Sequence, residues 1–143
     1  VRTIYLEGLQ TAASAPTWTI ARNQHLIAIA ICGDIDDAIS EAWRAAMQAS
    51  FDSAGYPPFG FVDAIDSRAT NSLSTRMHSA AFLRNCARHM QRIAVCASAP
   101  TGFAVRAMMR VAGMGNVCMV DDDKAPAVWQ ALRAGRDIEP GTT

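Results

Sequence analysis

The chain has 143 residues, half of them hydrophobic and 18% charged, and its 13 basic side chains balance 13 acidic ones. That composition excludes a disordered polyelectrolyte and a protein that coats nucleic acid through bulk positive charge. A chain this long buries about 68–70% of its unfolded surface, so a single domain over 1–143 with a self-sufficient core is expected.

In chain order, a small polar start (Thr11–Pro16) precedes Trp18–Ile20, an expected short edge strand, and a polar turn at Arg22–His25. Leu26–Cys32 is a continuous apolar run rich in isoleucine, which suits a strand buried on both faces and paired with its predecessor as a hairpin. Gly33 and Asp34 end it, and Asp34 or Asp36 caps the helix that follows. Over 36–53, Ile39, Trp43, Met47 and Phe51 recur every four residues as one apolar stripe. Pro57 and Pro58 stop this helix. Phe59–Ile65 reads as the next strand, and Asp66–Ser72 as a polar connection rich in capping side chains. A second long helix fits 72–91, with Leu73, Met77, Ala80, Leu83, Ala87 and Met90 on one face. Ile93–Ala97 is another buried strand. Pro100 opens a third helix carrying Phe103, Met108 and Val111, ended by Gly113 and Gly115. Asn116–Val120 is the last strand and Ala125–Ala134 the last helix, bearing Val128, Trp129 and Leu132. The core should span about 18–134, with 1–16 and 136–143 peripheral. This alternation predicts an α/β layer architecture whose mixed, mostly parallel sheet has five strands and about four helices.

The longest apolar run is far shorter than the roughly 20 residues of a membrane-spanning helix, and the first residues lack a signal-peptide pattern. Cys32, Cys86, Cys96 and Cys118 are scattered without a Cys-x-x-Cys pair, as free thiols in a cytoplasmic protein would be.

Three constellations could carry chemistry. The first is the hydroxyl-rich segment 67–75. A phosphate on Ser67, Thr70, Ser72 or Ser74 would sit at a helix N-terminus near Arg68 and Arg76, where dipole and guanidinium groups favour an anion. The competing reading is that Asn71 or Ser72 simply caps the helix. The second is a set of acids at predicted strand ends: Asp34, Asp36, Asp37, Asp63, Asp66 and Asp121–Asp123. In a parallel sheet these lie on one edge, where an Mg²⁺-dependent receiver-like or enzymatic site would form, but each is also an ordinary helix-start residue. The third is charge segregation. Between Ser67 and Val120 there are seven arginines and no acid, which predicts a dipolar surface. Arg76, Arg84 and Arg88 can share a helix face, with Arg92 just beyond. Met77, Met90, Met108, Met109 and Met114 are flexible enough either to fill the core or to line an adaptable apolar pocket. His25, His78 and His89 stand in no recognisable nucleophile arrangement, and Gly113–Gly115 lacks the context of a phosphate loop.

Several segments resemble the STAS superfamily, in particular its SpoIIAA-like and STAS/Sec14-type members. They are Ile31–Asp36, Gly60–Ala64, the arginine-led strand Arg92–Cys96, and the acidic stretch running into a helix with tryptophan, Asp121–Trp129. The resemblance covers about 18–134. It implies a SpoIIAA-like fold, and a regulatory role like that of anti-sigma-factor antagonists. The Asp-Ser-Ser-Gly-type phosphoacceptor turn of those proteins is replaced here by Asp66–Ser74, which has no Ser-Gly step. The leading expectation is a non-catalytic protein-interaction module without cofactor or metal. It would bind an anti-sigma-like or other regulator through Asp66, Arg68, Arg76, Arg84, Arg88 and Arg92 on the 66–92 loop–helix face. A homodimer is compatible with this reading, and nucleic acid is not an expected partner. The alternative is a carrier or sensor for a small apolar ligand or lipid, and an Mg²⁺-dependent domain ranks behind both.

Overall fold

The isoleucine-rich run and its neighbours do become a sheet. In a computed structural model of the chain, residues 1–53, 58–98, 106, 110, 113 and 115–138 are described. Among these residues six strands lie in sequence order: β1 (Gln10–Ala15), β2 (Trp18–Arg22), β3 (Leu26–Ile35), β4 (Phe59–Ala69), β5 (Arg92–Ala97) and β6 (Val117–Met119). β1, β2 and β3 pair antiparallel, and β3 through β6 pair parallel. The helices whose ranges are described are α1 (Asp37–Asp52), α2 (Leu73–Arg88) and α3 (Ala125–Arg133), with a 3-10 turn at Ile4–Leu6. The expected third helix over Pro100–Val111 lies outside the described residues, apart from the exposed, helical Arg106 and Arg110.

The mixed, mostly parallel α/β architecture is the expected one, with one strand more. β1 is the addition, so Trp18–Arg22 is an interior strand and not an edge. β1 is built from Gln, Thr, Ala and Ser, is mostly exposed, and joins through its backbone ladder to β2. Of residues 1–16, expected at the periphery, most are exposed but Tyr5 enters the core. Tyr5 is buried against Phe61 (ring centroids 4.8 Å apart) and Trp129 (6.0 Å). The Trp129 indole N–H donates to the Tyr5 carbonyl at 2.9 Å.

Alternate residues of each strand face opposite sides. One side carries Leu26, Ala28, Phe61, Ala94 and Cys96 and is covered by the Ile4–Leu6 turn and α3. The other carries Ile20, Ile27, Ile29, Ile93 and Val95 and lies under α1 and α2. α1 starts where Asp36 caps it by accepting from the Ile39 N–H at 2.9 Å, one of the two caps expected. Ser72 caps α2 in the same way through the Thr75 N–H at 3.2 Å. Gly33 holds φ at +72° just before the last turn of chain into α1, a conformation that disfavours any side chain.

Candidate functional site: an apolar cavity between the sheet and two helices

β4 is longer than its apolar run because a bulge carries it onward. Ala30 pairs with Asp63 but Cys32 pairs with Asp66, so β4 spends one more residue than β3 across this step. An extra residue reverses which side chains face which side. Before the bulge, Asp63 faces the Tyr5 side; after it, Asp66 does, and Ser67 and Ala69 turn toward α1 and α2. The segment expected as a polar connection is therefore largely strand: Asp66, Ser67 and Arg68 stand on β4.

On the helix side the sheet and its cover do not close on each other. A cavity of about 640 Å³ lies between them. Its floor includes Ile27, Ile29, Val62 and Ile93, and its walls include Trp43 and Met47 of α1 and Leu83 of α2. Val62 sits on a central strand with neighbours on both sides, yet it is only half-buried, because its side chain meets the cavity. Gly60 keeps the floor low. A Cβ there would meet the Met90 methyl at 2.7 Å.

The two helices hold each other rather than the sheet at this end. The Asn71 amide donates to the buried Ser40 hydroxyl at 3.0 Å, and the Ser72 N–H donates to Asp37 at 2.7 Å. That last bond keeps the Asp37 carboxyl below its ordinary range. Trp43 and Phe82 meet edge to face at 5.8 Å. Leu73 and Met77, expected to pack on the core, are instead 73% and 65% exposed, and Met77 lines the cavity.

Polar groups gather at the cavity mouth. Arg76 lines it and is steadied by the Asn71 carbonyl oxygen, which accepts from Nε at 3.0 Å. No carboxylate pairs with Arg76 among the described residues. Ser79, three residues on along α2, has a buried hydroxyl with no hydrogen-bond partner among the described residues. Most buried polar atoms do have one.

The other predicted residues scatter. Ser67 donates its hydroxyl to the Ala64 carbonyl at 2.8 Å, Ser72 is engaged as the α2 cap, and Thr70 and Ser74 are exposed. Arg68 pairs with Asp34 at 2.8 Å. Arg84 and Arg88 are exposed on α2, but Arg92 does not extend their face: it stands on β5 and pairs with Asp137 at 3.0 Å. That ion pair lowers the Asp137 carboxyl and raises Arg92. Of the histidines, His78 and His89 are exposed, and His25 lies partly buried in the β2–β3 turn. Met108, Met109 and Met114 lie outside the described residues, whereas Met77 and Met90 line the cavity.

Three of the strand-end acids, Asp63, Asp66 and Asp122, converge on one arginine, on the sheet face away from the cavity. Asp63 is 2% exposed and accepts from Arg2 at 2.9 and 2.6 Å. Arg2 also reaches Asp122 at 3.2 Å and Asp66 at 4.0 Å. Sequence gives no signal for this cluster, since the partners are 61 and 120 residues apart. Among the described residues no group of three or more His, Cys, Asp or Glu side chains is arranged to hold a metal. No described helix is long and apolar enough to cross a membrane.

Two buried thiols flank these sites. Burial pushes Cys86, on the inner side of α2, up to about 12, and Cys96, beside Asp122, up to about 11. Iodoacetamide at neutral pH should leave both unmodified in the folded protein and label both after denaturation, as read by peptide mass mapping. A raised thiol pKa favours the folded state below the unfolded value of about 8.5, so melting temperature should fall as pH rises from there toward the folded values.

No protein-family model matches the chain, and no curated protein matches it in sequence. Its structure is similar to that of an uncharacterised protein of the DUF3478 family with a SpoIIAA-like fold, from Shewanella loihica PV-4. The TM-score is 0.58 at 14% identity, over 80% of this chain and 95% of the other. The chain thus has the SpoIIAA-like fold that its strand and helix segments resemble.

Proposed function

We propose that this SpoIIAA-like module binds a small apolar molecule in the cleft between its sheet and α1/α2, as a carrier or sensor and not as an enzyme. The observation that carries the reading is the cavity itself. Its volume of about 640 Å³ falls within the roughly 300–1,000 Å³ of small-molecule pockets, and it is lined by aliphatic and aromatic side chains with a few polar groups at one end. Leaving Val62, Trp43 and Phe82 half-buried forfeits apolar burial that a ligand would restore.

The test uses a neutral, environment-sensitive probe, N-phenyl-naphthylamine. The wild-type protein should bind it with enhanced, blue-shifted emission. Val62→Trp, which fills the cavity from the floor, should weaken binding by roughly tenfold or more without lowering the melting temperature. No enhancement with wild-type protein, or equal binding by Val62→Trp, would contradict the reading.

A second reading, a protein-interaction module, is supported by the exposed arginines Arg84 and Arg88 on the outer side of α2, which have no carboxylate partner among the described residues. An acidic partner docked there would be released by salt, since exposed charges are screened beyond about 8 Å at physiological ionic strength. A partner retained at high salt and by Arg84→Ala/Arg88→Ala would argue against that face.

A further inference from the structure

The apolar-cleft reading leaves the polar end of the cavity unexplained, and that end has a definite chemistry. Arg76 places a permanently charged guanidinium at the mouth, with Nε on Asn71 and one terminal nitrogen at 3.5 Å from the Ala69 carbonyl. Those contacts aim the fork without neutralising it. The neighbouring arginine at the mouth, Arg68, is paired with Asp34, whereas Arg76 has no carboxylate among the described residues. One turn further along the same helix, the Ser79 hydroxyl is buried and has no hydrogen-bond partner among the described residues. Residues three apart on a helix lie on one face, and both line the cavity. Beyond them the lining is apolar.

We propose that the ligand is a single-chain amphiphile with one anionic head group, its head on Arg76 and its chain along the sheet floor. This rests on the apolar-cleft reading and adds the charge requirement. A neutral apolar molecule would leave the guanidinium unanswered. A cationic amphiphile would meet like charge. An anionic head satisfies Arg76 through charge-assisted hydrogen bonds, which are roughly twice as strong as neutral ones.

Displacement of N-phenyl-naphthylamine by dodecanoate, dodecyl phosphate and dodecanol tests this. The three share a chain and differ in head group, so the first two separate a carboxylate from a phosphate ligand. Both anions, or one of them, should displace the probe at concentrations roughly tenfold or more below dodecanol. Arg76→Gln should abolish that preference, bringing the anions to within about threefold of dodecanol. Dodecanol binding as tightly as both anions, or Arg76→Gln weakening all ligands equally, would overturn the charge requirement and leave the apolar cleft standing. Failure of probe and all three amphiphiles to bind would overturn the cleft reading itself.

Discussion

Arg2→Ala is expected to cost about 3 kcal/mol of stability and to lower the melting temperature by roughly 10 °C. The reason is not the loss of an ion pair as such. Asp63 lies at 2% exposure on the central strand, and Arg2 supplies both of its short charge-assisted bonds. Removing the arginine strands a carboxylate where water has little access, and breaking one side of a buried pair typically costs about 3–5 kcal/mol. The lower end applies because the Arg2 side chain is itself 28% exposed, so solvent can partly replace it. The same substitution releases Asp122, which then faces Asp63 without the cation between them. Arg2→Met combined with Asp63→Leu should cost less than Arg2→Ala alone, because no charge is left unpaired. Chemical denaturation of the three proteins checks this. Equal losses for the single and the double variant would show that packing, and not the stranded charge, sets the cost.

Trp129→Ala is expected to be the more damaging change, at about 4 kcal/mol. The indole is 4% exposed, packs on Tyr5, and carries Arg133 over its ring at 4.7 Å from the centroid. It fastens the first turn of the chain to the last helix. Trp129→Phe separates the two contributions. It keeps most of the apolar volume but removes the N–H that serves the Tyr5 carbonyl, so a loss of about 1–2 kcal/mol is expected. Thermal unfolding followed by circular dichroism reads both. A phenylalanine variant as unstable as the alanine variant would make the hydrogen bond, and not burial, the dominant contribution.

These two anchors also explain which parts of the fold were legible in sequence. Elements that bury a patterned face announce themselves. Leu26–Cys32, Phe59–Ile65, Ile93–Ala97 and the α1 stripe all do so, and their boundaries fall within a few residues of the observed ones. β1 buries little, so Gln10–Ala15 has no apolar alternation to read; its backbone hydrogen bonds with β2 define it. The end of β4 is hidden for the opposite reason. Polar residues in Asp66–Ala69 look like a loop, but the bulge after Asp63 lets them continue the ladder while pointing to useful sides. The stripe on α2 is legible yet misleading. Leu73 and Met77 have helical apolar spacing, yet both remain largely exposed. Periodicity reports that a face is apolar, not what covers it. The cavity is a consequence of that gap, so the hydrophobic pattern marks its walls and conceals the space between them.

The arginines divide in the same way. Sequence spacing groups Arg76, Arg84, Arg88 and Arg92, whereas the fold gives them different surroundings: a cavity mouth, an outer helix face, and an ion pair with Asp137 on β5. The acid-free stretch from Ser67 to Val120 is partly neutralised by acids outside it, through Arg68–Asp34 and Arg92–Asp137. Arg76 is the member of this group that combines a place in the cavity with no carboxylate partner among the described residues, which gives it a role that spacing alone cannot.

The most direct test of the cleft is a methyl-labelled NMR titration with dodecanoate, which reads both faces of the sheet at once. Saturable shifts are predicted for Ile29, Val62, Leu83 and Met77 on the cavity side, with Leu132 and Val128 on the opposite face unmoved. Shifts absent from the first set, or equally large in the second, would contradict the assignment of this cleft as the ligand site.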